Sequence, residues 1–378
     1  MSRAEVVADT TVEAIPLARP VLGAAEEERV LEVLRSGRLS LGPMLGEFER
    51  AFAPRVGTAH ASAVSSGTAG LHLALRAVGV SDGDEVVTTP FSFVASANVA
   101  IFERARPVFA DIDPVTLNLD PDAAAAAVTE RTTALLPVHV FGYPADVPAL
   151  ERLSLPIVED ACEALGAAHA DGTPVGGSGH PAVFAFYANK QLTTGEGGIV
   201  TTSDPALKER IDSERNQGRA PDMGWLDHDR LGFSYRLSEF ACALGIVQLG
   251  RLESMLAARA SAAERYREAL ADIEELRLPC PDTGGERRGW FVFVAQLPRR
   301  CDRDAVVRAL AAQGIQSKPY LPAIHLMSFY RERFGHREGE FPVCEDVAAR
   351  SLALPFFPEI TEAQIERVAE RLRAIIEP

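Results

Sequence analysis

The chain has 378 residues, 47% of them hydrophobic and 24% charged, with a formal net charge of −15. That balance is the one of an ordinary soluble globular protein, long enough for two or three domains of about 150 residues and a large buried core. So acidic a surface repels a phosphate backbone and argues against nucleic acid as a main partner, while leaving room for a phosphorylated small molecule held by local donors. The five cysteines (Cys162, Cys242, Cys280, Cys301 and Cys344) are odd in number and widely spaced, without a CxxC, which reads as reduced thiols in a cytosolic protein. The eight histidines show no metal-ligand spacing. The first twenty residues carry no apolar stretch of signal-peptide length, and no apolar run approaches the roughly 18 residues of a membrane span.

Residues 1 to 15 read as a loose N-terminal arm. A short amphipathic helix is expected over Glu26–Arg35, and from there strands and helices alternate. Strands are expected at Ala61–Ser65, Glu85–Thr89, Pro107–Ala110, Ala134–Val138, Pro156–Glu159, Val183–Tyr187 and Gly198–Thr202. Between them lie helical patterns: Gly67–Val78, with Leu71, Leu75 and Val78 on one face, then Ser92–Phe102, Pro121–Val128 and Asp146–Leu153. This alternation predicts an α/β domain built on a large, mostly parallel sheet, whose ligands gather at the carboxyl ends of the strands. After Asp204 the character changes. Ser238–Leu256 and Ala257–Ala271 read as long helices, the first apolar nearly all round and therefore buried or at an interface. A smaller C-terminal α/β unit follows, with strand Trp290–Leu297 and helices Arg303–Gln313 and Thr361–Ile375. Between those helices the Pro- and aromatic-rich segment Lys318–Pro358 reads as a functional loop. The division is a large domain over 16–255 and a small one over 256–378.

Four segments carry candidate chemistry. Ser65-Ser66-Gly67-Thr68-Ala69 joins a strand to a helix; its small residues and helix start suit an anion, and equally an ordinary N-cap turn. Ile157-Val158-Glu159-Asp160 is an apolar strand ending in an acid. Asp160 there is either a helix cap or a buried carboxylate, and a buried carboxylate needs a cation such as a protonated pyridine. Phe184–Gly198 runs from a strand through a polar turn, Asn189-Lys190-Gln191, into a Gly-rich return. Only Lys190, Lys208 and Lys318 occur in the whole chain, and Lys190 alone lies in a segment that reads as interior. A desolvated lysine loses its proton readily and forms imines. Gly232–Glu239 places Tyr235 and Arg236 just before a helix, suited to an anionic ligand or to simple capping by Ser238. His139 and His325 each read as a site residue or a satisfied core histidine.

Taken together, these segments resemble the DegT/StrS family of nucleotide-sugar aminotransferases, which have the aspartate-aminotransferase-like fold of enzymes dependent on pyridoxal 5′-phosphate. The resemblance runs from about Pro20 to the end. It rests on NKQLTTGEGG (189–198) and on the ordered set SSGTAGLHLAL (65–75), PFSFVASAN (90–98), EDACEALGA (159–167) and YRLSEFACALGIVQL (235–249). It implies that Lys190 carries the cofactor as a Schiff base and that Asp160 pairs with the pyridine nitrogen. It implies that Gly67, Thr68 and Ala69 cup the phosphate, that Phe93 stacks on the ring, and that Glu163 stands near the phenolic oxygen where the family usually has Gln or His. Ala185 stands where many members have a phosphate-binding Ser. Ser234 replaces an Asn that usually reaches the phosphate from the neighbouring subunit. Asn189 is a candidate replacement donor.

By the same resemblance, glutamate is the expected amino donor and a keto sugar on a nucleoside diphosphate the acceptor, with Arg219, Tyr320 and His325 as candidates for the substrate pocket. A homodimer with shared active sites is expected, in the cytoplasm. Relatives that dehydrate a deoxysugar carry His in place of the Schiff-base lysine, so Lys190 favours transamination; intact Lys190 and Asp160 also argue against a non-catalytic sensor. A nicotinamide-dependent dehydrogenase lacks its GxGxxG after the first strand.

Overall fold

The strands expected in the first 200 residues all form, and they join into one sheet. In the computed structural model, which describes residues 14–220, 227–282 and 284–377, they are β1 (His60–Val64), β2 (Glu85–Thr88), β3 (Arg106–Phe109), β4 (Thr132–Leu136), β5 (Glu159–Asp160), β6 (Ala182–Ala185) and β7 (Gly198–Thr202). β2 pairs in parallel with β3 and β4, and β5 in parallel with β6, while β7 is antiparallel to both β6 and β1. Parallel bridges Leu135↔Ile157 and Val138↔Asp160 tie β4 to β5, giving the order β3-β2-β4-β5-β6-β7-β1. Because β7 alone runs backwards, the carboxyl ends of β1, β5 and β6 and the beginning of β7 share one edge. The three richest sequence segments therefore converge where ligands bind in such sheets.

The apolar positions picked from periodicity are the core: Leu71, Leu75, Val183 and Val200 are buried in one cluster. In the large domain two helices escaped the sequence reading, Pro43–Phe52 and Pro205–Arg215. The second has Asp204 as its cap and Pro205 at its first position, both helix-start signals. Its body is so charged, however, that no apolar stripe shows. The long helix pair breaks at Arg251 rather than after Leu256: Glu239–Gly250 and Leu252–Leu270 meet at a 64° bend. The second helix thus crosses the expected domain boundary at 255. Only taken together across that bend do they have the length and composition of a membrane span; among the described residues no single helix does.

The C-terminal unit is an antiparallel sheet of β8 (Phe293–Gln296), β9 (Lys318–Pro319) and β10 (Ser351–Leu354), with β10 central. Segment 318–358, expected to be a functional loop, is instead largely structured. It holds β9, β10 and the helices Ser328–Phe334 and Pro342–Arg350, because its aromatics serve as core: Tyr330, Phe334 and Phe341 pack with Phe109 and Ile324. Residues 1–13 of the expected arm lie outside the described residues. Ile15, at its end, is not loose: it is buried and pairs with Ile315 beside the small sheet.

Alternation along β5 sends its two acids to opposite sides. Asp160 faces the site, whereas Glu159 is wholly buried against His139, whose Nε2 lies 2.9 Å from Oε2, and against Ser178 Oγ. His139 Nδ1 accepts the Ala145 N–H at 2.9 Å, so the proton sits on Nε2 and is donated to Glu159. His139 is therefore the satisfied core histidine of its two readings. Burial works against the charge on Glu159, but the hydrogen bonds from His139 and Ser178 outweigh it, and the carboxyl lies below its ordinary value. A carboxyl so depressed stabilises the fold fully above the ordinary carboxylate range and loses that contribution as pH falls through its lowered folded value. We expect His139→Ala to cost about 3 kcal/mol of unfolding free energy at pH 7, measured by urea denaturation. The gap to wild type should narrow in acid; a constant gap down to full protonation would refute this account.

Candidate active site

The edge of the large sheet is built around a carboxylate. Asp160 is buried, yet it accepts only uncharged donors: Ser96 Oγ at 2.6 Å on Oδ2, and its neighbour Cys162 N–H at 3.1 Å on Oδ1. Among the described residues no Lys, Arg or His forms an ion pair with it. A buried carboxylate that keeps its charge requires a cation from somewhere.

Beside it the helix Gly67–Ala77 begins. Ser66 caps it by accepting the Ala69 N–H at 3.1 Å, which leaves the Gly67 and Thr68 N–H groups at the open, positive end of the helix. The start is pressed tightly onto the sheet. A Cβ on Gly67 would meet Ala185 Cβ at 2.8 Å and Cys162 Sγ at 2.9 Å, and one on Gly198 would meet the Gly67 nitrogen at 2.7 Å. These glycines let backbone donors of the first helical turn come down beside β6 and Asp160.

The third part is the turn after β6. Lys190 N–H closes the turn on Tyr187 O at 2.9 Å. Gln191 Nε2 donates to the carbonyls of Glu163 (2.6 Å) and Gly289 (2.8 Å). Arg259 reaches in from helix Leu252–Leu270, donating to Lys190 O at 3.4 Å and Phe291 O at 3.1 Å. Its guanidinium is buried without a carboxylate partner among the described residues, and burial alone brings it down to about 10. The Lys190 amine so placed lies 3.6 Å from Glu163 Oε1 and 3.9 Å above the centre of the Phe291 ring. Glu163 Oε2 accepts the Phe141 N–H at 3.0 Å. Burial holds the Glu163 carboxyl above its ordinary value in spite of Lys190, which pulls the other way.

Of the other predicted residues, Tyr320 belongs to this cluster: its ring lies 5.8 Å from Phe141 and 6.2 Å from Phe291, and burial, followed by the charge of Glu163, raises its phenol. Phe93 stands at the mouth, 63% exposed, one turn ahead of the Ser96 that holds Asp160. Asn189 keeps a buried Oδ1 with no partner. Three residues lie elsewhere in this chain. His325 bonds Glu345 at 3.0 Å and packs on Phe341, with its Nδ1 buried and unpartnered among the described residues. Ser234 accepts from Arg236 at 2.9 Å, and Arg219 is bridged to His228; neither is in the Lys190 cluster. Sequence reasoning missed Ser96, Phe141, Gln191, Arg259 and Phe291. Only Gln191, adjacent to Lys190, carried a local signal. A separate cavity of about 830 Å³, lined in part by Asn118, Tyr143, His169 and Ser178, contains none of the Lys190 cluster.

A flat, phosphorylated group with a protonated ring nitrogen fits what is present: an unpaired buried carboxylate, an open helix start, an exposed aromatic ring and an interior amine. Comparison with known proteins agrees. Residues 20–373 match the DegT/DnrJ/EryC1/StrS aminotransferase family. The spore coat polysaccharide biosynthesis protein SpsC of Bacillus subtilis is 35% identical over 379 residues, covering 96% of this chain and 97% of that one. The crystal structure of S. venezuelae DesV in complex with a ketimine intermediate superposes with a TM-score of 0.87 at 36% identity, covering 93% of this chain and 94% of DesV. The PLP form of Streptococcus pneumoniae Spr1654 superposes with a TM-score of 0.91 at 25% identity, covering 96% and 99%. The chain therefore belongs to the DegT/DnrJ/EryC1/StrS aminotransferase family, and it is an aminotransferase that works with pyridoxal phosphate.

Proposed function

We propose that this enzyme moves an amino group from glutamate to a keto sugar carried on a nucleoside diphosphate, using Lys190 as the lysine that binds the cofactor. The observation that carries the reading is Asp160, a buried carboxylate with no ion-pair partner among the described residues, on the same short segment as the Glu163 that touches Lys190. Bound pyridoxal phosphate supplies an aldehyde and an electron-withdrawing ring. Asp160 would hold a proton on the ring nitrogen and so sustain that withdrawal. The Gly67 and Thr68 N–H groups, with Ala69 behind them, receive the phosphate at the helix start. Asn189 and the Ser234 loop are the candidates for the contacts that Ala185 no longer makes. Phe93 covers the ring face. Lys190, once its amine is free, would take the proton from the amine-bearing carbon of the donor as base and give it, as acid, to the carbon that carries the cofactor's aldehyde.

The sugar acceptor is supported by the relative SpsC, named for polysaccharide biosynthesis. Arg219 and Tyr320 remain the substrate candidates. A second copy of the chain suits the surface around the site. Leu31 and Leu34 are exposed on helix Ala24–Ser36, and Phe240, Leu244 and Val247 form a half-buried stripe on the neighbouring helix Glu239–Gly250. Together they make an apolar face of the kind homodimers cover. The five unpaired cysteines suit a cytoplasmic site of action. The test is a half-reaction. Glutamate should bleach the visible band of the holoenzyme and release 2-oxoglutarate, and one member of a panel of nucleotide-linked keto sugars should restore the band. Restoration by simple keto acids alone, with every nucleotide sugar inert, would overturn the acceptor class.

A further inference from the structure

We infer that Glu163 is the proton acceptor that makes Lys190 a nucleophile, a role that rests on the reading of Lys190 as the cofactor lysine. An ammonium has no lone pair, so Lys190 must shed a proton before its nitrogen can add to a carbonyl carbon. Among the described residues Glu163 Oε1 is the one carboxylate oxygen paired with that nitrogen, at 3.6 Å, and the Phe291 ring covers it at 3.9 Å. The carboxyl is fixed for the task. Its other oxygen is tied to the Phe141 N–H, presented by a left-handed turn (φ 54°, ψ 26°), and its own backbone carbonyl is tied to Gln191. The other titratable groups facing Glu163 are Asp160 and Cys162 on its own segment and Tyr320 from the C-terminal unit. Neither acid nor phenol supplies a second cation.

In the transfer one N–H bond of Lys190 breaks, an O–H bond forms on Glu163 Oε1, and the electron pair stays on nitrogen. Two buried charges vanish together, and no proton is exchanged with solvent. When the amine is later released the proton returns along the same path. Burial, which holds the Glu163 carboxyl above its ordinary value, favours the neutral pair.

Because the charged and the neutral pair hold the same number of protons, the reactive fraction does not depend on pH between the two outer ionisations. With Glu163→Gln the proton must leave to solvent, and the reactive fraction grows with pH by up to about tenfold per unit. The full chain, freed of cofactor with hydroxylamine, is mixed with pyridoxal phosphate from pH 6 to 8.5, and the growth of the visible band gives the loading rate. Wild type should vary by no more than about threefold, and Glu163→Gln should add the tenfold-per-unit rise. Parallel profiles would overturn the inference. If Glu163→Gln loses its fold by circular dichroism, the wild-type profile decides: a tenfold-per-unit rise there overturns it equally. Borohydride reduction followed by peptide mapping keeps the two claims apart, since a label anywhere but Lys190 in wild type removes the reading of Lys190 itself.

Discussion

Lys190→Ala is expected to lower turnover by about 10³-fold or more and to abolish the visible band of the cofactor bound to the lysine. On the proposed reading the side chain serves twice, first as the anchoring amine and then as the group that carries the proton, and no other lysine lies in the site to replace it: Lys208 pairs with Glu49 and Asp212, and Lys318 lies on the exposed strand β9. The fold should not suffer. Among the described residues the amine pairs with Glu163 and lies over the Phe291 ring, while the bonds that hold the turn, from Arg259 to the Lys190 carbonyl and from Gln191 to Glu163 and Gly289, do not involve it. Unfolding in urea should therefore remain near wild type. Removing a buried charge even relieves its partner, because Glu163 can take up a proton. A variant that transaminates at the wild-type rate would disprove the assignment of Lys190.

The second large effect is expected at Asp160. On the proposed reading, Asp160→Ala takes from the ring nitrogen the charge that keeps it protonated. The loss should be about 10²–10³-fold in turnover, the size associated with removing one aimed electrostatic group from a buried site, together with weaker retention of the cofactor on gel filtration. Stability should fall by only about 1–2 kcal/mol. Ser96 Oγ keeps a partner in Ser92 Oγ at 2.8 Å, and only the Cys162 N–H is left without an acceptor. Unchanged activity would take Asp160 out of the mechanism. The same activity from Asp160→Asn would show that an acceptor, and not a charge, is what the ring nitrogen needs.

The centre of this site was legible because its chemistry is local in sequence. A scarce lysine in an apolar setting, an acid closing an apolar strand and a small-residue turn before a helix each announce themselves within about ten residues. The sheet was legible for a related reason: its buried strands are short apolar runs between turn residues. What could not be read is what acts across the chain. Arg259 sits among other charged residues of a long helix, and nothing near it distinguishes it from Arg265 or Arg267; only the folded chain shows that it is buried and holds Lys190 O. Phe291 looks like any strand aromatic. Aromatic content misled in the opposite direction in segment 318–358, where Tyr330 and Phe341 fill core and His325 pairs with Glu345. There composition resembled a binding loop while the packing requirement was that of an interior. Helix Pro205–Arg215 was hidden for a third reason, because the groups it turns inward are themselves charged: Glu214 and Arg215 are buried in ion pairs with Arg76 and Glu49.

The paired grip of Arg259 and Gln191 has a mechanical consequence. Each side chain clasps one carbonyl next to the reactive lysine, Lys190 O or Glu163 O, and one on the strip leading into β8, Phe291 O or Gly289 O. Any swing of that strip must drag the lysine's backbone with it. The working position of the amine is thus set from outside its own turn, by helix Leu252–Leu270 and the strip before β8 together.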